Sequence, residues 1–496
     1  MADTNLTGPS GGDSLTQSAE MNAQFDRGDI AWIYAASVFV WVMIPAIGFL
    51  YAGLARRHHS LSLVWQSLIS VAVVTFQWFF WGYSLTFSHS AGLFIGDLAN
   101  FGSKGVLAQP SVGSALIPDI LFYLFQLVFS CATAMIMIGG AMERGESPPW
   151  RVHNGLIGQS QAGSSRVRFS SSFGQRLFMT PSPVGRGILP VGCSNLARSI
   201  LPAAVPYICR QVQARSHMRS SSESAQLRRR AEQKCHGTNR VTSSLSCLAP
   251  SSCGLAGLAS FNGGSALNAS LRAIYAGVNT NLAAACGAIT FCALDVLRHK
   301  KRWSMVGLCC GAVAGLVGIT PASGFIPIYF AVPVGVVTGC TTHLAMDLKD
   351  ILRIDDGLDV FALHGIGGLT GNILTGLFAA DYITALDGYS SIPGGWINGN
   401  YIQLGYQLAG CAAILSYSFT VTAILLFVMD KVPGLRLRVS EEKEAAGLDM
   451  HEIGEAIMEY GMTEVLEAGA RRLHEEKEKE DKDRSPEESA EKVGET

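Results

Sequence analysis

The chain has 496 residues, 48% of them hydrophobic and 15% charged, with a formal net charge of −2. Soluble domains carry roughly 25% charged residues, so this balance excludes an ordinary soluble protein. With a mean hydropathy of +0.27 and long uncharged runs, the chain reads as an integral, all-α membrane protein. The net charge says nothing about partners, because the charges are segregated along the chain.

The first 29 residues are polar, so no cleavable signal peptide is expected. Mostly apolar spans then follow at about 30–53, 62–86, 119–142, 271–296, 303–324, 326–346, 357–380 and 403–430, each long enough to cross a bilayer. Basic connections follow the first, fourth, sixth and last of these: ARRHH at 55–59, LRHKKR at 297–302, DLKDILR at 347–353 and KVPGLRLR at 431–438. The loops at 87–118 and 381–402 hold one Lys and no Arg. By the positive-inside rule the basic loops are cytosolic, so residues 1–29 are expected outside and the C-terminus inside. Asn5-Leu6-Thr7 is then a weak glycosylation acceptor on the outer side.

The 54 glycines suit a tightly packed bundle, since small residues let membrane helices approach closely. The 12 cysteines show no metal-ligand spacing. Cys286, Cys292, Cys309, Cys310 and Cys411 fall inside apolar spans and read as packing residues.

Residues 145–253 break the pattern. They hold 14 Lys/Arg against three acids, with 20 serines, and contain no clean apolar run of 20 residues. Residues 247–269 are uncharged and supply one crossing, which restores the parity that the basic loops demand, with nine spans. The Arg228–Arg230 run reads as a solvated stretch, and no nucleic-acid partner is expected. Beyond the last span, residues 431–496 form a cytosolic tail. Its near part is expected to fold as a short helix against the cytosolic face, and 466–496, mixed in charge and free of aromatics, is expected to be disordered.

One ionisable residue sits at membrane depth. His364 lies in the glycine-rich stretch Ile354–Asn372. An intramembrane ionisable group is costly, and marks either a path for a polar substrate or a buried side chain bonded to a neighbouring helix. The segment alone leaves both readings open.

The flanking motifs carry more. IPAIGFLYAGLARR (44–57), FQLVFSCATAMIMIGGAMER (125–144), FNGGSALNASLRAIYAGVNTNLAAACGAIT (261–290), KRWSMVGLCCGAVAGLVGITPASGF (301–325), DDGLDVFALHGIGGLTGNILTGLFA (355–379) and GLRLRVSEEKEAAGLD (434–449) stand in that order. Together they resemble the ammonium transporters, the Amt/Mep/Rh family, and look closest to its fungal members. The resemblance covers most of 30–144 and 254–462.

It implies an inverted-repeat bundle of eleven helices, of which eight to nine are recognisable here, in a plasma-membrane homotrimer that moves ammonium or ammonia. By that resemblance Phe129 and Phe261 match stacked phenylalanines that close the pore entrance. Ser265 matches a hydroxyl that recruits substrate in the outer vestibule, and His364 matches a pore histidine. Gln126 precedes the first phenylalanine by three residues, and Asp359 matches a structural acid near the cytosolic end of the pore. In such a family substrate is recruited outside, loses a proton, and passes as ammonia through an apolar channel.

The chain departs from the family between GGAMER and FNGGSA. The family's fourth and fifth helices and most of its sixth belong there, with a vestibule tryptophan, a buried aspartate and the first pore histidine. None is recognisable, and no family role passes to Trp150, His153, His217 or His236. The composition is closer to a retained intron or a wrong reading frame, a gene-model artefact, than to an evolved membrane domain. A true cytosolic insertion is the alternative. The competing function is a non-transporting family member that senses ammonium or regulates trimers. No nucleophile–base constellation, phosphate loop or metal motif supports an enzyme, and no cofactor is expected.

Overall fold

The structure is a computed structural model that describes residues 24–55, 59–88, 96–139, 257–298, 303–348, 351, 356–431, 448–449 and 453. These residues are mostly helical and contain no strand beyond one isolated bridge, Pro110 with Pro118. The expected block at 145–253, the segment 1–23 and the tail beyond 453 lie outside the described residues.

Helix α1 runs Arg27–Leu54. It starts where Asp26 accepts hydrogen bonds from the amides of Gly28 (2.7 Å) and Asp29 (3.1 Å), satisfying donors that the first turn leaves free. Helix α2, Ser60–Gln77, passes through a π-helical turn at Trp78–Gly82 into α3, Tyr83–Phe87. Then follow α4, Asp119–Gly139; α5, Leu271–Arg298; α6, Met305–Ile319; and α7, Ile328–Ala345. A π-helical segment, Phe361–Ile366, leads into α8, Gly367–Phe378, and α9, Ile402–Lys431, closes the bundle. Five of these stretches are long and apolar enough to cross a bilayer: Arg27–Leu54, Ser60–Phe87, Asp119–Ile136, Leu271–Arg298 and Ile328–Ala345.

Two kinds of packing hold the bundle. Around α1, α2 and α4 large side chains interlock: Ile33, Ile44, Leu63, Trp78, Tyr83, Phe125 and Met135 are all nearly inaccessible. From α5 to α8 the backbones themselves touch. A Cβ on Gly315 would strike the carbonyl of Ala283, and one on Gly371 would strike that of Gly318. These crossings exist because glycine removes the side chain between two helices. Among the described residues, the expected crossing at 247–269 is seen only from residue 257, where residues 257–264 are helical.

The described tail residues 448–449 lie against the bundle. Asp449, almost fully buried, accepts from the amides of Leu61 (3.3 Å) and Ser62 (2.7 Å) in the first turn of α2. Its carboxylate meets the positive end of that helix.

Candidate functional site

Phe129 sits midway along α4 and Phe261 on the helical residues 257–264, far apart in sequence. Their rings stack with centroids 4.4 Å apart and planes 9° from parallel, and both are buried. Gly264 permits the approach. A Cβ there would lie 2.8 Å from both the Ala36 side chain and the Phe125 ring, so only glycine lets residues 257–264 seat this close to α1 and α4. The stack adds about 0.5–1.5 kcal/mol beyond burial of the rings.

A cavity of about 120 Å³ begins at this aromatic pair. On α1 its wall runs along the C-terminal half, from Met43 to Leu54, and on α4 it runs from Phe129 to Ile136. The cavity therefore extends from the stacked rings toward the end of the bundle where α1 and α4 finish. The sequence reading places that end in the cytosol. The rest of the wall comes from α6 and from the segment leading into α8.

His364 belongs to that wall. It lies in the π-helical segment Phe361–Ile366, where its carbonyl accepts from the Gly367 amide, while its imidazole makes no hydrogen bond to a described residue. A π turn inserts one extra residue per turn and commonly marks a working position. Its start is built by two acids with different tasks. Asp356, buried, accepts from the amides of Val360 (3.1 Å) and Phe361 (2.7 Å). Asp359 contributes its backbone: it adopts φ +55° and its carbonyl accepts from Leu363 (2.9 Å). The side chain that caps this segment is thus Asp356, which the sequence reading did not single out.

Two further residues fall outside the cavity wall. Ser265 is half-buried, and its hydroxyl donates to the carbonyl of Phe261 at 2.7 Å. Gln126 is half-buried, with its Oε1 atom enclosed and lacking a hydrogen-bond partner among the described residues. The wall holds polar groups that sequence reasoning missed. Thr133 and Thr320 donate their hydroxyl protons to Phe129 (3.0 Å) and Leu316 (2.6 Å), which leaves oxygen lone pairs. Tyr51 brings an enclosed hydroxyl with no partner among the described residues. No spacing rule signals such residues, because each looks like ordinary helix packing until the helices are assembled.

The arrangement is an apolar chamber, closed at one end by stacked aromatics and lined by an imidazole and a few hydroxyls. Among the described residues no three His, Cys, Asp or Glu side chains are grouped to hold a metal ion.

Comparison with known proteins agrees with this architecture. The model of the Ammonium Transporter Family matches residues 31–162 and 255–458. The ammonium transporter MEP2 of Saccharomyces cerevisiae is 43% identical over 484 residues, covering 92% of this chain and 88% of its own length. Ammonium transporter 1 of Schizosaccharomyces pombe is also 43% identical, covering 92% of this chain and 86% of its own. The crystal structure of Candida albicans Mep2 superposes with a TM-score of 0.71 at 40% identity, covering 87% of this chain and 90% of that one. The match to the family skips 163–254, which takes in most of the Arg/Ser-rich block. On these findings, the chain is a multi-pass membrane protein that belongs to the ammonium transporter family.

Proposed function

We propose that the chain moves ammonium nitrogen across the plasma membrane through the cavity between the Phe129–Phe261 pair and the ends of α1 and α4. The observation that carries this reading is a single chamber with stacked aromatic rings at its head and His364 in its wall.

Each residue has a physical task. Ammonium is all donor. Ser265 spends its own proton on Phe261, so its oxygen accepts from an arriving cation. The aromatic faces attract that cation further, and more strongly once water is stripped away. The apolar wall then selects. Potassium cannot shed its charge, and an unpaired ion in such surroundings is heavily penalised. Ammonium sheds its charge by giving a proton back to the water outside the aromatic pair, and ammonia continues as a neutral molecule. Neutral imidazole offers both a donor and an acceptor, so His364 hands ammonia along without trapping it. Gln126, beside the gate, and Asp359, at the start of the π segment, support the geometry and do not touch substrate. The protein works as a homotrimer with one pore per subunit, its N-terminus outside and its C-terminal tail in the cytosol.

Residues 163–254 decide how well the chain as written performs. An Arg at the bilayer centre costs roughly 2.5–3.5 kcal/mol on insertion scales, so this Arg-rich segment is a poor substitute for family helices. The test uses yeast lacking its own ammonium uptake, grown on low ammonium. The full chain is expected to support weak growth at best. A chimera carrying the matching segment of the Schizosaccharomyces pombe ammonium transporter 1 is expected to restore it. In that chimera His364→Ala should reduce uptake by ~10-fold or more, as loss of a buried hydrogen-bonding group along the path does, or relax discrimination against potassium. Unchanged uptake and selectivity in His364→Ala would remove this residue from the pore. A chimera that restores growth beside a full chain that binds but does not carry ammonium would instead favour a sensing role.

A further inference from the structure

We propose that Cys309 and Cys310 form a modification site inside the cavity, which takes small uncharged electrophiles and obstructs the path once occupied. The two cysteines are consecutive on α6, both are buried, and both belong to the wall of the chamber that holds His364. Cys131, Cys292 and Cys411 are also buried but take no part in the wall. The sequence pattern alone made all of these cysteines look like packing.

A second observation points to a guest. The Tyr51 hydroxyl lines the chamber, is enclosed, and has no hydrogen-bond partner among the described residues. An enclosed hydroxyl without a partner is costly to leave unmet, so a small polar visitor in the chamber is stabilised there. The lining is otherwise mostly apolar, so beyond the aromatic rings a permanently charged visitor finds no counter-charge to replace its water. The same physics that would pass ammonia and stop potassium therefore admits a neutral reagent and stops its charged analogue. A metal is the weaker alternative, because no group of three ligating side chains is found among the described residues.

The reaction is a thiol–disulfide type exchange with the reagent as oxidant. With methyl methanethiosulfonate, the cysteine sulfur attacks the methylthio sulfur as thiolate. A new S–S bond forms, the bond between that sulfur and the sulfonyl sulfur breaks, and methanesulfinate leaves with the electron pair. The thiol proton goes to buffer. The added methylthio group then occupies part of a cavity of only about 120 Å³.

The effect on transport rests on the pore reading, whereas labelling does not, so labelling is the test. Uptake by the labelled chimera, expected to fall ~10-fold or more only if that reading holds, is measured separately. The full chain, folded in detergent, is treated with methyl methanethiosulfonate or with its trimethylammonium-bearing analogue. After denaturation the peptide containing both cysteines is mapped by mass spectrometry. The neutral reagent should mark this peptide faster than the charged one by ~10-fold or more, because the charge must be desolvated to enter. Both reagents should mark it equally in the denatured chain. Cys309→Ser and Cys310→Ser, made singly, identify which sulfur reacts. Absence of label in the folded chain, with full label after denaturation, would overturn the proposal by showing that solutes do not reach the thiols. Equal labelling of the folded chain by both reagents would overturn it too, by placing the thiols in bulk water. Neither result bears on the His364→Ala uptake test.

Discussion

Helix α5 is anchored by an arginine–aspartate pair at each end, and the two pairs sit in different surroundings. At its start Arg272 bonds Asp387 at 2.8 Å, with side chains only 8% and 1% exposed. At its end Arg298 bonds Asp347 at 2.5 Å, with side chains 41% and 60% exposed. By distance alone the second pair is the tighter. By surroundings the first matters far more, because removing one partner of a buried pair strands a charge, whereas an exposed partner simply returns to water. Arg272 is also held by the carbonyl of Gly324 (3.0 Å) and the hydroxyl of Ser390 (3.2 Å), and it lies over the Phe325 ring at 4.5 Å. It fastens α5 to the loop before α9, so the comparison concerns the whole assembly of the second half of the bundle.

The largest effect is expected from breaking the buried end. Arg272→Ala should cost about 3–5 kcal/mol, the usual range when a buried partner is removed. It is read as a lowered unfolding midpoint of the purified protein in detergent. Replacing both partners, as Arg272→Met with Asp387→Leu, should recover much of that loss, because no charge is then left stranded. A double variant no better than the single would show that Gly324 and Ser390, not Asp387, are what Arg272 serves. Acid should act on the same end. Burial works to raise the Asp387 carboxyl, but hydrogen bonds from Ser390, the Tyr389 amide and Arg272 outweigh it and hold the group below the ordinary carboxylate value of 3.8. A depressed carboxyl contributes stability above its unfolded value and loses it as pH falls through the folded one. The pair should therefore hold unchanged from neutrality down to about pH 5 and weaken only below about pH 4.

Neither anchor was visible in the sequence, and the reason is physical. The bilayer demands long apolar runs, so the expected span at 62–86 lies within the helical stretch Ser60–Phe87, and the one at 403–430 within α9. Motif resemblance was enough to pair Phe129 with Phe261, which lie on different helices. It was not enough for contacts that only assembly creates. Arg272 and Asp387 are 115 residues apart, and nothing at either position marks the other. The π segment around His364 depends on the Asp356 carboxylate and the left-handed backbone of Asp359, and the sequence showed only three acids within five residues. Cys309 and Cys310 read as packing because an apolar wall and an apolar core have the same composition.

An intermediate effect is expected where α5 passes between the two environments. Asp295 accepts from His343 Nε2 at 3.0 Å, and His343 Nδ1 lies 3.4 Å from Arg298. Arg298 can only donate, so the neutral ring carries its proton on Nε2 and accepts at Nδ1. His343 is buried and packs edge-on against Phe291, with ring centroids 4.6 Å apart. Asp295→Ala would leave that N–H enclosed without its acceptor, at a cost of about 1–3 kcal/mol. Asp295→Asn keeps an acceptor and should cost clearly less. Thermal unfolding of the two variants side by side checks this. Equal losses would mean that charge at Asp295, and not the hydrogen bond, is what counts.

The smallest effect is expected at the exposed end. Arg298→Ala removes a 2.5 Å contact to Asp347 and the long contact to His343. Both Arg298 and Asp347 are substantially exposed, so water replaces most of what each loses. Holding two side chains in one geometry also costs entropy that their release returns. The expected change is about 0–1 kcal/mol, and it should shrink further in molar salt, where the screening length falls to about 3 Å. His343 keeps its shorter bond to Asp295 in this variant and loses only the 3.4 Å contact at Nδ1. Asp347→Ala, which breaks the exposed contact but leaves Arg298 beside His343, should cost no more than Arg298→Ala. A loss near that of Arg272→Ala, insensitive to salt, would mean that this end of α5 is covered in the working protein and that the contrast between the two ends fails.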